Sequence, residues 1–148
     1  MTSSPFIRVR AAEAGDNEMV HLLLTEAQQE QAKYRGQFST LVSGDHTVVA
    51  VVGESVVGVS QYLLTPDHAA LVTCVHVLPQ ARDIGVGDAL MLHVLNELHT
   101  HGVTWVSAHA QPGDRALKNL FERHGLVAQS ILVGKSLSDP STAEHASQ

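Results

Sequence analysis

Hydrophobic positions along this chain follow two rhythms, and the change from one to the other falls inside a single stretch. From Leu71 to Leu98 the sequence reads LVTCVHVLPQARDIGVGDALMLHVLNEL. Leu71 to Leu78 is apolar and β-branched, interrupted only by Thr73, Cys74 and His76, which predicts a strand buried on most of both faces. Pro79 ends it, because proline has no N–H to give to a ladder. Beyond the loop, Ala89, Leu90, Leu92, Val94, Leu95 and Leu98 recur at helical spacing. A strand therefore feeds a short loop carrying Gly85 and Gly87, and that loop opens a helix.

The same two rhythms organise the rest. Ile7 to Ala11 alternates as a first strand. Asp16 or Asn17 can cap a helix whose buried face is Met19, Val20, Leu22, Leu23, Leu24 and Ala27. That helix runs on through a polar stretch from Glu26 to Lys33, with Glu26 and Glu30 one turn apart. Such a face is ordinarily solvated; the sharper reading has one of the two carboxylates lining a site. Gln37 to Asp45 reads as a short helix or a loop. His46–Val52 and Val56–Leu64 are two strands joined by a turn at Gly53-Glu54-Ser55. Thr65-Pro66-Asp67 then turns the chain into the central strand. Gly102 ends the central helix, and Val103 to Ala110 is another strand. Asp114 caps a helix with Leu117, Leu120 and Phe121 as its apolar stripe, stopped by Gly125. Val127 to Leu137 supplies a last strand. Ser138 to Gln148 is small and polar and reads as a disordered tail. The expected architecture is one α/β domain over residues 1–137, a mixed sheet of about six strands flanked by about four helices.

Composition narrows the functional classes. The chain has 148 residues, 44% hydrophobic but only 4% aromatic, so Val, Leu and Ala must fill the core. A net charge of −6 with nine Lys and Arg spread along the chain argues against a nucleic-acid face. One cysteine excludes an intramolecular disulfide. The N-terminus MTSSPFIRVR has no apolar signal region, and no run reaches the roughly 20 residues that span a bilayer. The expected setting is the cytoplasm, without a membrane partner.

The loop from Arg82 to Asp88 is the first piece of candidate chemistry. The opening N–H groups of a helix have no intrahelical partner, and the helix dipole adds partial positive charge there. Glycines at this point either shape a tight turn or let a bulky anion approach the backbone, as in a phosphate-binding turn. A P-loop is excluded, since no Gly-Lys-Ser/Thr occurs. A dinucleotide fingerprint is excluded too, since Leu90 stands where its third glycine belongs.

Arg82-Asp83-Ile84-Gly85-Val86-Gly87 does match R/Q-x-x-G-x-G/A, following Val77-Leu78-Pro79 at the expected distance. In this the chain resembles the GNAT superfamily of acyl-CoA-dependent N-acetyltransferases, over most of its length from about Ile7 to Leu137. The resemblance implies that amides of the loop Arg82, Asp83, Ile84, Gly85, Val86, Gly87 and Asp88 hold the CoA pyrophosphate. It implies that the backbone of Val75, His76 and Val77 pairs with the pantetheine arm. The segment GDRALKNLFERHGL resembles the family's second signature, N-x-x-A-x-x-[FL]-Y-x-x-x-G-F. There Asp114 stands for the Asn, and so joins the expected cofactor-binding residues. Leu117 stands for the Ala and Leu120 for the apolar residue. Phe121 takes the place of the Tyr, with Gly125 and Leu126 closing the motif. The resemblance further implies a mostly antiparallel sheet whose fourth and fifth strands, Leu71–Leu78 and Val103–Ala110, splay apart around the cofactor.

Amine acetyl transfer makes definite demands. The acceptor amine must lose a proton to a base or a water chain, and the thioester oxygen wants a backbone N–H as it gains charge. In many family members the signature Tyr protonates the departing thiolate. Phe121 has no proton to give. The candidate bases are His76, on the central strand, and His109, on the facing strand, since histidine titrates near neutrality. Each could equally be a hydrogen-bonded histidine filling space. Cys74 shares a strand face with His76 and reads as a buried, inert thiol. His99, His101, His124 and His145 read as solvated, and no metal site is expected. The resulting expectation is direct transfer of acetyl from acetyl-CoA to a primary amine of a small molecule or protein, in a ternary complex. The alternative is a catalytically weak acyl-CoA-binding or sensing module. A homodimer is common among similar proteins.

Overall fold

The computed structural model describes residues 6–34 and 43–138. Five strands form one sheet in the order β1 (Ile7–Ala11), β2 (His46–Val52), β3 (Ser55–Thr65), β4 (Ala69–Val77), β5 (Trp105–Ala108). The first three pairings are antiparallel and the last, β4 with β5, is parallel. A parallel pair needs a long crossover, and α2 (Val86–Thr100) provides it. The other helices are α1 (Asn17–Gln31) and α3 (Arg115–Arg123). The fold is the expected mixed α/β arrangement, with five strands and three α-helices among the described residues.

The helices divide the sheet's two faces. Leu23 of α1 packs on Val49, Val51 and Val59. On the other face, Leu90, Val94 and Leu98 of α2 cover Val48, Ala50 and Val72. Leu120 and Phe121 of α3 pack beside α2 against Met91. Most of the apolar residues with helical spacing are buried or half-buried, which is why these segments fold as helices against a sheet, but Leu22, expected on the buried face of α1, and Leu92 of α2 are exposed. At Gly58 a Cβ would lie 3.0 Å from Val86 Cγ1 and 3.3 Å from the His76 carbonyl oxygen. The missing side chain lets the first turn of α2 sit tight against β3, close to the end of β4.

Two β-bulges modify the alternation. Tyr62 pairs with Val72 and Gln61 with Cys74, so Thr73 is the extra residue on β4, its hydroxyl donating to the Gln61 carbonyl oxygen at 3.2 Å. Val72 and Val75 consequently both face α2, whereas Cys74 packs on the α1 side. A bulge inserts one residue and so exchanges the faces of everything beyond it.

Asp16 braces the entry to α1. Its carboxylate takes two hydrogen bonds from Arg10, at 2.7 and 3.1 Å, and one from the Glu13 N–H at 2.8 Å. The Arg10 guanidinium, then the Glu13 amide, hold the Asp16 carboxyl below its ordinary value of 3.8. A depressed folded pKa contributes stability above the unfolded value and loses it as pH falls through the folded one. Asp16→Asn is therefore expected to cost about 1 kcal/mol near neutral pH. The difference from wild type should shrink below the ordinary carboxylate range, as urea midpoints measured across pH would reveal.

Two local expectations come out differently, and a third falls partly outside the described residues. Val127–Leu137 forms no strand: it pairs with no described strand, and β propensity alone does not make one. His124 is not solvated: its Nε2 lies 2.8 Å from Asp88 Oδ1, with the His124 side chain only 16% exposed. Of the expected helix or loop at Gln37–Asp45, residues 37–42 lie outside the described residues, and 43–45 are not helical. Residues 139–148 of the expected tail also lie outside.

Candidate active site

β4 and β5 pair over only four steps, from Ala69–Trp105 to Val72–Ala108. Beyond that point β4 continues to Val77 while β5 stops, and the strands part. Among the described residues no strand covers this edge of β4 from Thr73 to Val77, so its backbone groups are available to a ligand. The gap opens into a cavity of about 40 Å³ walled by α1, β4, His109, Asp114 and the Leu117–Phe121 stripe of α3. It runs on into a cleft of about 120 Å³ beside Gln28 and Gln61, the two sharing Ala27, Gln31, Val72, Thr73, Cys74 and His109.

The Arg82–Asp88 loop lies at one end of the gap. Pro79–Ala81 forms a single 3-10 turn, and α2 begins at Val86. Asp83 (φ 68°) and Gly85 (φ 95°) are both left-handed. Left-handed residues next to right-handed ones curl successive N–H groups toward one point, a concavity suited to an anion. Gly85 is the N-cap of α2, and no side chain caps it. The first donors of α2 therefore remain open to a ligand.

Side chains around the loop are arranged differently from a simple anion clamp. Arg82 donates from Nε to the Val77 carbonyl oxygen and from Nη2 to Glu30 Oε2, each at 2.9 Å, tying the end of β4 to α1. Asp88 would repel an anion, but Arg123 at 3.1 and 3.2 Å and His124 at 2.8 Å surround its carboxylate. A Cβ on Gly87 would stand 3.4 Å from Leu120. That glycine thus serves the packing of α2 on α3 as well as the turn. Val86 is fully buried and contributes backbone alone.

His76 is buried, and its Nε2 lies 2.7 Å from Oε1 of Glu26, one third exposed on α1. The bulge at Thr73 is what turns His76 toward α1. His76 and His109 line the same cavity, His76 held by Glu26 and His109 exposed at its rim. Of the two carboxylates on α1, Glu26 engages the histidine and Glu30 engages Arg82. An i, i+4 pair of acids on a helix was the available signal for both; what each would meet was not. Burial pushes the Cys74 thiol up to about 12, so it stays protonated and takes no part as a nucleophile. Asp114 caps α3, accepting the Leu117 N–H at 3.1 Å, and borders the cavity. Phe121 packs its ring among Val75, Ala108 and Leu117, where the strands part. Among the described residues, no helix is long and apolar enough to cross a membrane.

Known proteins share this fold. An aminoglycoside acetyltransferase from an uncultured soil metagenomic sample, in complex with sisomicin, superimposes with a TM-score of 0.68 at 16% identity, over 90% of this chain and 96% of that one. An aminoglycoside N-acetyltransferase in complex with CoA gives 0.69 at 12% identity, over 90% and 95%. A ribosomal-protein-alanine N-acetyltransferase from Brucella melitensis biovar Abortus 2308 gives 0.68 at 16% identity, over 88% and 99%. At such identities the likeness is one of fold. No curated protein matches the chain in sequence. The model of the acetyltransferase (GNAT) family, however, matches residues 13–126, from the first turns beside Asp16 to the end of α3. The chain belongs to the GNAT acetyltransferase family.

Proposed function

We propose that this protein transfers the acetyl group of acetyl-CoA to a primary amine by direct attack in a ternary complex. The observation that carries the proposal is the Glu26–His76 pair, whose histidine lines the cavity between the parted strands. In this reading the curled backbone at Asp83–Asp88 takes the pyrophosphate, and the unpaired edge of β4 at Val75–Val77 takes the pantetheine arm. Asp114 keeps the far wall in place by capping α3.

An amine arriving as an ammonium ion must first lose a proton. Glu26 and His76 accept it as a unit: neutral imidazole beside carboxylate becomes imidazolium beside carboxylate, an ion pair favoured where water is scarce. The freed amine attacks the thioester carbon. A backbone N–H on the open edge of β4 can stabilise the oxyanion that forms. Collapse releases CoA as a thiolate, which is a tolerable leaving group without an acid. His109, at the rim, is the second candidate for proton transfer. Release of free CoA thiol from acetyl-CoA, followed across a panel of primary amines, tests the reading. No release with any amine would refute it.

Phe121 favours a second reading, a domain that binds acyl-CoA but transfers poorly. Its ring occupies the position where a hydroxyl could meet the thiolate. Phe121→Tyr adds one oxygen at the cavity wall and is expected to raise the transfer rate about threefold to tenfold, less than a fully adapted acid contributes. Acetyl-CoA affinity should not change. An unaltered rate would mean that the leaving group needs no acid here.

A further inference from the structure

The cavity beside His76 continues outward into the cleft beside Gln28 and Gln61, so an amine held at His76 leaves the rest of its molecule in that cleft. Among the described residues, no Lys, Arg, Asp or Glu lines the outer cleft. Four glutamines stand there instead: Gln28 and Gln31 on α1, Gln61 on β3 and Gln111 after β5. The carboxylates of the inner cavity are already engaged. Glu30 takes Arg82 at 2.9 Å, and Asp114 accepts the Leu117 N–H at 3.1 Å.

Gln61 is the most constrained of these side chains. It is 9% exposed, and its Nε2 donates to Thr47 Oγ1 at 3.0 Å. That contact fixes the amide and leaves Oε1 without a donor among the described residues. No buried side-chain polar atom there lacks a partner, so Oε1 is open to the cleft that Gln61 lines. The side-chain amides of Gln28 and Gln31 make no hydrogen bond among the described residues. An amide both donates and accepts, and it carries no charge. Another amide satisfies it on both counts. A second ammonium ion or a carboxylate brought into this cleft would be desolvated without a counter-charge, which is costly. Leu24, Leu71 and Val72 supply an apolar wall, which a polyol has little surface to match.

We propose that the acceptor is a primary amine on an uncharged, amide-bearing body, of which a peptide amide is the simplest form. Gln61 Oε1 receives an N–H of that body, and Gln28 and Gln31 meet its remaining peptide groups. Polycationic amines, and amines whose body ends in a carboxylate, are disfavoured. The proposal rests on the acetyl-transfer reading and concerns which amine that reaction takes.

Release of CoA thiol from acetyl-CoA is compared for glycylglycinamide, glycylglycine, spermidine and glucosamine. Glycylglycinamide is expected to give a kcat/KM about tenfold or more above each of the others, because a site built of hydrogen-bonding groups discriminates against ligands that leave them unpaired. Gln28→Glu puts a carboxylate in the cleft at an exposed position of α1. It is expected to raise kcat/KM for spermidine about threefold or more and to bring no gain for glycylglycinamide. Wild-type transfer to spermidine, glycylglycine or glucosamine as fast as to glycylglycinamide overturns the proposal, as does turnover of other amines without it. An unchanged preference in Gln28→Glu overturns it too, since the cleft would then not read the charge of the acceptor. If no amine at all releases thiol, the transfer reading fails by itself. Saturation-transfer NMR of the same amines with the CoA-loaded protein then decides the cleft. A signal from glycylglycinamide above the other three upholds the proposal, and any other pattern overturns it.

Discussion

Replacing His76 with alanine should lower the acetyl-transfer rate by about 10²–10⁴-fold, the usual contribution of a positioned base, while acetyl-CoA affinity holds. The expectation rests on the 2.7 Å contact with Glu26 and on the burial of His76 beside the parted strands. Glu26→Gln keeps the hydrogen bond but removes the charge that stabilises the imidazolium. Its loss should therefore be smaller, and the double variant should be little worse than His76→Ala, because two residues acting as a unit are not additive. His76 fills space, so thermal midpoints are recorded alongside rates to separate lost chemistry from lost packing. If His76→Ala turns over normally and His109→Ala does not, the proton passes through the rim histidine instead.

The second large effect concerns the loop. Ile84 is 43% exposed, between the two left-handed residues Asp83 and Gly85. Ile84→Glu adds a negative charge to the concavity without entering the core. Calorimetry should find acetyl-CoA bound at least tenfold more weakly, a loss of ~1.4 kcal/mol or more, in a protein of unchanged stability. A carboxylate on Gly87 would be a less clean probe, because a Cβ there stands 3.4 Å from Leu120. Full affinity in the Ile84 variant would remove the pyrophosphate from this loop.

What could be read from the chain was whatever is encoded locally. The strand, the proline, the glycines and the helix after them are neighbours in sequence, so the loop that opens α2 was legible from residue types alone. So was the Asp114 cap, which sits three residues before the N–H it accepts. The Glu26–His76 contact joins residues 50 positions apart. Nothing local links them, and strict alternation from Val72 would have sent the histidine to the other face. His124 was misjudged for the same reason, since its partner Asp88 is 36 positions upstream. Arg82 stands in the motif where an anion contact was expected, yet its guanidinium meets Glu30 across the fold. Val127–Leu137 has the side chains of a strand, but a strand also requires an edge to join, and that requirement does not appear in its own sequence.

The alternation of β4 beyond the extra residue at Thr73 makes the chemistry of this protein sensitive to counting. Substituting Thr73 changes one side chain and one 3.2 Å hydrogen bond. Deleting Thr73 would only remove the bulge, leaving His76 opposite Val59 on the α1 side, but deleting Val75, beyond the bulge, would turn His76 away from Glu26 toward the apolar face under α2. Glu26 would then lose its histidine. Point changes and length changes in this strand therefore carry very different hazards. Apart from His76, the letters of β4 are freer to drift than their number beyond the bulge.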